Sequence, residues 1–309
     1  MPEYLSLPDV LRLESGPATI VPPEHIGFLE YAPKKGGETV CQVDDEHEAG
    51  LHLSYFSGDF SDFHLYVIVT HAKISIKPGS TSIKSSSEFE ATIEYHSEDG
   101  DLLSRVTQFK SPYPEVVSIG ETKYGVELNA FSFKTPDGKD QRFPCNLPFM
   151  ANFSDFVMPL RVEYIGMAAK NGRTADERLA DGHEKLQALQ SKMHSYNTSR
   201  AISLLLYRPG RLDNKSMTFD DVVETLEATL IQNFKPRPLN IEHLSFPTGS
   251  PSLSKKLRSM GVQWVSAQLE APRGCRIYSN HRGDMSSVSE AVVNIPKAEK
   301  NKKSKRKRK

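Results

Sequence analysis

A chain of 309 residues is long enough to bury one large core or two smaller ones. Its three cysteines, Cys41, Cys145 and Cys275, lie more than a hundred residues apart with no CxxC or Cys/His ligand pattern, so neither a disulfide framework nor a structural zinc site is implied. The 39 basic and 39 acidic residues cancel, but residues 297–309, KAEKNKKSKRKRK, hold nine Lys or Arg and one Glu, so a net +8 sits on a body of −8.

Residues 1–49 are rich in Pro, Gly and acid (VPPEH, VDDEHE). One short amphipathic stretch runs from Tyr4 to Leu13, and the segment reads as an arm with little structure of its own. The opening has no basic n-region or apolar h-region, and the longest apolar run is Leu65 to Val69. Those features predict a chain that is neither secreted nor membrane-spanning, with peripheral membrane contact left open.

From 50 to 172 the pattern predicts strands. LHLSYF alternates, and FHLYVIVTHAKISIKPGS places Leu65, Val67 and Val69, then Ile74 and Ile76, at period 2 before Pro78-Gly79 stops it. FEATIEYH alternates through Phe89, Ala91, Ile93 and Tyr95, Ser97-Glu98-Asp99-Gly100 turns, and LLSRVTQF returns. After SPYP, VELNAFSF alternates again, Thr135-Pro136-Asp137-Gly138 turns, and MPLRVEYIG sets Leu160, Val162 and Tyr164 opposite Arg161 and Glu163. Strands spaced by roughly 10–20 residues with no helical pattern between them predict an antiparallel sandwich or jelly roll.

Residues 173–272 read as a smaller mixed α/β unit. Leu179, Leu186, Leu189 and Met193 form one stripe of a helix over 174–194, weakened at Gly182. RAISLLLY (200–207) predicts a buried strand. Thr218 caps a helix carrying Phe219, Val222, Val223, Leu226, Leu230 and Phe234, which Pro236 and Pro238 end. NIEHLSF predicts a strand, SLSKKLRSM a short helix closed by Gly261, and VQWVSAQL a strand. From 273 to 309 a basic, mostly disordered tail is expected. The fold class is mainly β: a jelly-roll-like antiparallel β-sandwich core, a smaller mixed α/β C-terminal unit and a disordered basic tail.

The cations of that tail are Lys297, Lys300, Lys302, Lys303, Lys305, Arg306, Lys307, Arg308 and Lys309. Like charge and the lack of any apolar side chain larger than Ala keep such a segment from folding alone, and it points to a polyanionic partner. Each cation that meets a phosphate releases a counterion; about six engaged on a single strand give a log–log salt slope of roughly −4. KKSKRKRK equally matches a nuclear import signal. Arg273, Arg276, His281 and Arg282, with Tyr278 among them, read either as a phosphate-contacting, base-stacking group or as an ordinary exposed loop.

His52, His64, His71 and His96, with Asp99, Asp101 and Asp155 nearby in sequence, are the set that would suggest a metal or acid–base site. They lack HxH, HxxxH or HExxH spacing, and each histidine has a sufficient reading as a strand residue. No nucleophile elbow, P-loop or dinucleotide-binding glycine motif occurs. A binding protein is therefore expected, not an enzyme, with no cofactor and no metal.

The segment RFPCNLPFMANFSDFVMPLRVEYIGMAAKNG (142–172) resembles the end of the conserved core of the 30K superfamily of plant-virus movement proteins. The matches are Phe143, Pro144 and Asn146, then Asp155, then Leu160, Val162 and Tyr164, then Gly166. HLYVIVTHAKISIKPGS resembles that family's opening strand and GVELNAFSF its penultimate one, so the likeness covers about residues 51–170. Asp99 and Asp101, which lie 67 and 65 residues before Gly166, are the two matches for a further family Asp, without its Leu-x-Asp context. The resemblance implies a jelly-roll-like sandwich that binds single-stranded RNA or viral nucleoprotein without sequence preference. It also implies action at plasmodesmata and the cell periphery, with peripheral membrane and host plasmodesmal factors as partners and homo-oligomers as an expected state. Members from plant-infecting negative-strand RNA viruses are the type it suggests. Asp99, Asp101, Asp155 and Gly166 are then fold-maintaining. The alternative is a viral matrix or nucleocapsid-associated structural protein that uses its tail for nuclear import.

Overall fold

The computed structural model describes residues 9–15, 19–21, 34–35, 38–39 and 62–297, apart from 114, 125–126, 146–147, 169–172, 181–182, 196–198, 212–216 and 237. In chain order the elements begin with β1 (Val10–Ser15), β2 (Thr19–Val21), β3 (Lys34–Lys35) and β4 (Glu38–Thr39). Next come β5 (Leu65–Ala72), β6 (Ile74–Ile76), β7 (Ser82–Ile83), β8 (Glu88–His96), β9 (Leu102–Lys110), β10 (Ser118–Tyr124), β11 (Glu127–Lys134), β12 (Asp140–Pro144) and β13 (Met158–Met167). Helices α1 (Ala175–Ala180) and α2 (Glu184–Ser195) lead to β14 (Arg200–Tyr207) and β15 (Pro209–Arg211). Helices α3 (Phe219–Phe234) and α4 (Pro251–Ser259) precede β16 (Trp264–Glu270), β17 (Cys275–Tyr278) and β18 (Val288–Asn294). The fold is mainly β, with several mostly antiparallel sheets.

Two of these sheets face each other through an aromatic core. Strand β8 pairs with β6 and β7 on one side and β9 on the other, while β10, β11 and β12 form a three-stranded partner sheet. Alternation puts Phe89 and Phe109 on the inner face of the first and Phe131, Phe133 and Phe143 on that of the second, all essentially inaccessible. The Phe89 and Phe131 rings meet edge-to-face at 4.8 Å, and Phe109 and Phe131 at 5.0 Å. Asp155 closes the far end of β9: its carboxylate accepts from the Gln108 N–H at 3.1 Å and faces Arg105 at 3.3 Å.

The larger part of the protein is layered. A five-stranded sheet runs β17-β13-β5-β14-β2, and a four-stranded sheet runs β15-β1-β16-β18. Helix α3 lies between them, touching β13 on one side and β16, β18, β15 and β1 on the other. A helix so placed is buried nearly all round, and its two buried threonines are satisfied within the helix. Thr225 and Thr229 donate to the carbonyls of Asp221 at 2.6 Å and Thr225 at 2.7 Å. Thr218 caps its start by accepting from the Asp221 N–H at 3.3 Å, and Lys235 ends it in the left-handed region at φ 44°. Strand β5 is buried on both faces because α1 and α2 cover the side opposite α3: Leu65, Val67 and Val69 join one core, Tyr66 and Ile68 the other.

Several expectations are corrected. The arm over 1–49 supplies β1, an interior strand of the four-stranded sheet, and β2, the edge of the five-stranded one. The stretch expected to dissolve after 272 contains β17 and β18, so the expected divisions at 49, 172 and 272 are crossed by shared sheets. NIEHLSF is a run of turns, since His243 takes φ 59° and Pro247 removes a donor. The single helix expected over 174–194 is two, α1 and α2. The LHLSYF strand lies outside the described residues.

Gly166 owes its identity to packing. A Cβ there would lie 2.4 Å from the Tyr66 hydroxyl oxygen and 2.6 Å from a Tyr164 ring carbon. Tyr66 cannot give way, because it is fully buried and its hydroxyl accepts from His183 Nε2 at 2.8 Å and Arg178 Nε at 3.1 Å. Gly166→Ala is expected to cost about 1–3 kcal/mol in denaturant unfolding. Gly283→Ala, where a Cβ meets nothing within 4 Å, is the neutral control.

Candidate nucleic-acid interface

The tail is anchored before it leaves the body. Strand β18 pairs in register with β16 from Glu270↔Val288 to Trp264↔Asn294. The Ile295 N–H then donates to the Gln263 carbonyl at 2.7 Å, and Arg258 Nη1 donates to the Pro296 carbonyl at 3.3 Å. Lys297 is exposed, and the remaining tail cations, from Lys300 to Lys309, lie outside the described residues. Arg258 belongs to α4, which buries Leu253 and Leu257 and turns Lys255 and Lys256 outward. Lys256 meets the Asp221 carboxylate, so Lys255 and Lys297 are the more open charges at this root.

The second basic group divides. Arg273 and Arg276 are exposed, Arg276 because it alternates with buried Cys275 and Ile277 in β17. Arg282 is committed to the fold: its Nε donates to Asp284 at 2.9 Å, and its Nη1 donates to Ser289 at 2.9 Å and Asn233 at 3.2 Å. Tyr278 is no stacking platform, since it is buried and hydrogen-bonds Glu98. Burial, then that bond, pushes its hydroxyl up to about 12. Glu98 also faces Arg200 at 3.5 Å, so the 97–100 turn docks on the five-stranded sheet. Asp99 and Asp101 are exposed in that hairpin connection, where the Ser97 N–H donates to the Asp101 carbonyl at 2.8 Å.

The histidines go to separate places. His64 Nδ1–H donates to the Ala168 and Arg173 carbonyls at 2.8 and 2.9 Å. His71 Nδ1–H donates to the Ala72 carbonyl at 3.0 Å while its Nε2 accepts from Ser203, and His96 sits over Gly100. His52 lies outside the described residues. Burial lowers His71 to about 4, which keeps it neutral. Among the described residues no group of three or more His, Cys, Asp or Glu side chains is placed to hold a metal, and Cys145 and Cys275 are free and buried.

Two polar clusters escaped sequence reading. Tyr66, Tyr164, Arg178, His183 and Glu227 meet at the end of the five-stranded sheet. There His183 Nδ1 accepts from the Leu186 N–H at 3.3 Å, starting α2, and burial lowers the imidazole to about 4. Near the start of α4, the Ser250 hydroxyl and His243 Nδ1 are hydrogen-bonded at 2.6 Å on the wall of an open cleft of about 590 Å³. Burial lowers His243 below its ordinary range, but among the described residues no carboxylate is hydrogen-bonded to it. The pair closes the 243–250 turn, and Glu224 and Glu242 line the same cleft, their charges opposing that fall.

No helix among the described residues is long and apolar enough to cross a membrane. Comparison with protein-family models, with curated proteins and with solved structures returned no match.

Proposed function

We propose that this chain is a non-enzymatic viral cell-to-cell movement protein that binds single-stranded nucleic acid without sequence preference and acts at plasmodesmata. The observation that carries the binding part is the segregation of charge: +8 in the last thirteen residues against a body of −8. A cationic segment pairs with phosphates through counterion release and needs no shaped pocket. Arg258, bonded to Pro296 at its root, and exposed Lys255 on the same helix support the reading by adding cations to the end of α4 that meets it. The movement part rests on the family-like segment 142–172 and on the two facing antiparallel sheets before it, which we read as jelly-roll-like. Single-stranded RNA or viral nucleoprotein is the cargo, and peripheral membrane, plasmodesmal factors and further copies of the chain are the partners.

Deletion of residues 297–309 tests this directly. The intact chain is expected to show a log–log salt slope of roughly −4 on single-stranded RNA, and the deletion a slope about half as steep or less. An unchanged slope removes the tail from binding.

KKSKRKRK also favours a second reading, a matrix or nucleocapsid-associated structural protein imported into the nucleus. Fluorescent fusions separate the two: cell-wall puncta support movement, and a nuclear signal lost with the tail supports the rival.

A further inference from the structure

Among the described residues the outer face of the four-stranded sheet stands open at the end where β18 leads into the tail. Strands β1, β16 and β18 alternate cleanly, sending Leu11, Leu13, Val265, Ala267, Leu269, Ala291 and Val293 inward against α3. The opposite face therefore carries Trp264, with Val10 beside it on β1 and Asn294 on β18. Trp264 is 41% exposed and Val292 59%. A large aromatic standing open on a sheet face, with aliphatic neighbours, is an unusual use of the residue type that gains most from burial.

Charge grades along this face. Its far end carries Glu14, Glu270 and Glu290, and the near end carries Arg12 and then, past Asn294, Lys297 and the tail. Asp9 is the acid at the near end, and its carboxylate accepts from the Gln263 side chain at 2.6 Å. A polyanion held by the tail is thus steered to the Trp264 end and repelled from the other. Apolar surface beside concentrated positive charge is what single-stranded nucleic acid uses, phosphates on the cations and a base on the ring.

We propose that Trp264 is a base-stacking platform, and that the tail delivers a single strand to it. The proposal rests on the nucleic-acid-binding reading above and names the surface where that binding becomes more than electrostatic.

Trp264 is the chain's single tryptophan, so it reports on itself. The experiment titrates the full chain with a single-stranded RNA oligonucleotide and, separately, with inorganic polyphosphate, which has the charge but no bases. RNA is expected to quench Trp264 emission saturably, while polyphosphate displaces labelled RNA without quenching. Trp264→Ala is expected to weaken RNA binding about tenfold at fixed salt and leave the salt slope unchanged, whereas Trp264→Phe keeps most of the affinity. RNA binding without quenching, equal quenching by polyphosphate, or full affinity in Trp264→Ala overturns the platform and leaves charge-driven binding standing. That last result would assign the face to another occupant, such as a second copy of the chain. Failure of the intact chain to bind RNA at all overturns both readings.

Discussion

Removal of residues 1–15 is expected to abolish the cooperative folded state. Strand β1 lies between β15 and β16, in parallel register with β16 from Val10↔Trp264 to Ser15↔Leu269 and antiparallel to β15 through Leu13↔Arg211. Its loss strips the backbone groups of β16 along one side and detaches β15. It also deletes Leu11 and Leu13, both essentially inaccessible, from the wall that α3 packs against. Each buried Leu is worth about 2–5 kcal/mol on truncation to Ala, and a domain of ordinary stability has about 5–15 kcal/mol in all. The two single variants Leu11→Ala and Leu13→Ala should therefore each shift the urea midpoint clearly downward. The double variant should lose about 4–10 kcal/mol, and the truncated chain should give no sigmoidal transition. A truncated protein that unfolds at the parent midpoint would show that β1 is dispensable.

That strand also marks where local reading of the sequence stops working. Period-2 spacing identified β5, β8, β11 and β13, the 97–100 turn identified β9 as the returning strand, and the apolar stripe with its Thr218 cap identified α3, because those signals are local. The partner of β1 lies some 254 residues away, and nothing in VLRLES announces a parallel neighbour. Strands β17 and β18 did carry the alternation. It was masked by what fills it: in CRIY an arginine alternates with the buried side chains, and in VSEAVVN the inward positions are Ser289, Ala291 and Val293. NIEHLSF misled in the opposite direction, since Ile241 is 77% exposed and the apolar spacing reflects a tight turn. The tail's charge was legible at once. The face beside it was not, although Val265, Ala267 and Leu269 turning inward already force Trp264 outward. Arg282 and Tyr278 illustrate the limit for sites: their residue types suited phosphate and base, and only coordinates reveal that Asp284, Ser289 and Glu98 hold them.

Stability is expected to peak near pH 6.5 and to fall on either side, with the alkaline fall below pH 8 set by Glu227. Burial raises this carboxyl from 4.5 to about 8, against the opposing pull of the Arg178 guanidinium and the Met167 backbone, with Glu224 and Glu242 adding to the rise. Between those values the folded protein holds a proton that the unfolded chain releases, so stability drops as pH rises. His71 and His183 act with the opposite sign. Burial lowers each from 6.5 to about 4, so the unfolded chain binds the extra protons in that window and stability climbs with pH. From 4.5 to 6.5 these two histidines, with His243 shifted the same way by burial, outweigh one glutamate; above 6.5, among the described residues, the glutamate sets the slope. At about 1.4 kcal/mol per pH unit, its alkaline limb amounts to about 2 kcal/mol between pH 6.5 and 8. Glutamine has the shape of the protonated acid and no proton to lose, so Glu227→Gln should fold and hold its urea midpoint flat over that range. His71→Gln should instead shallow the acid limb and leave the alkaline one alone. An alkaline limb that survives intact in Glu227→Gln would mean that another group titrates there and that Glu227 is ionised in the folded protein.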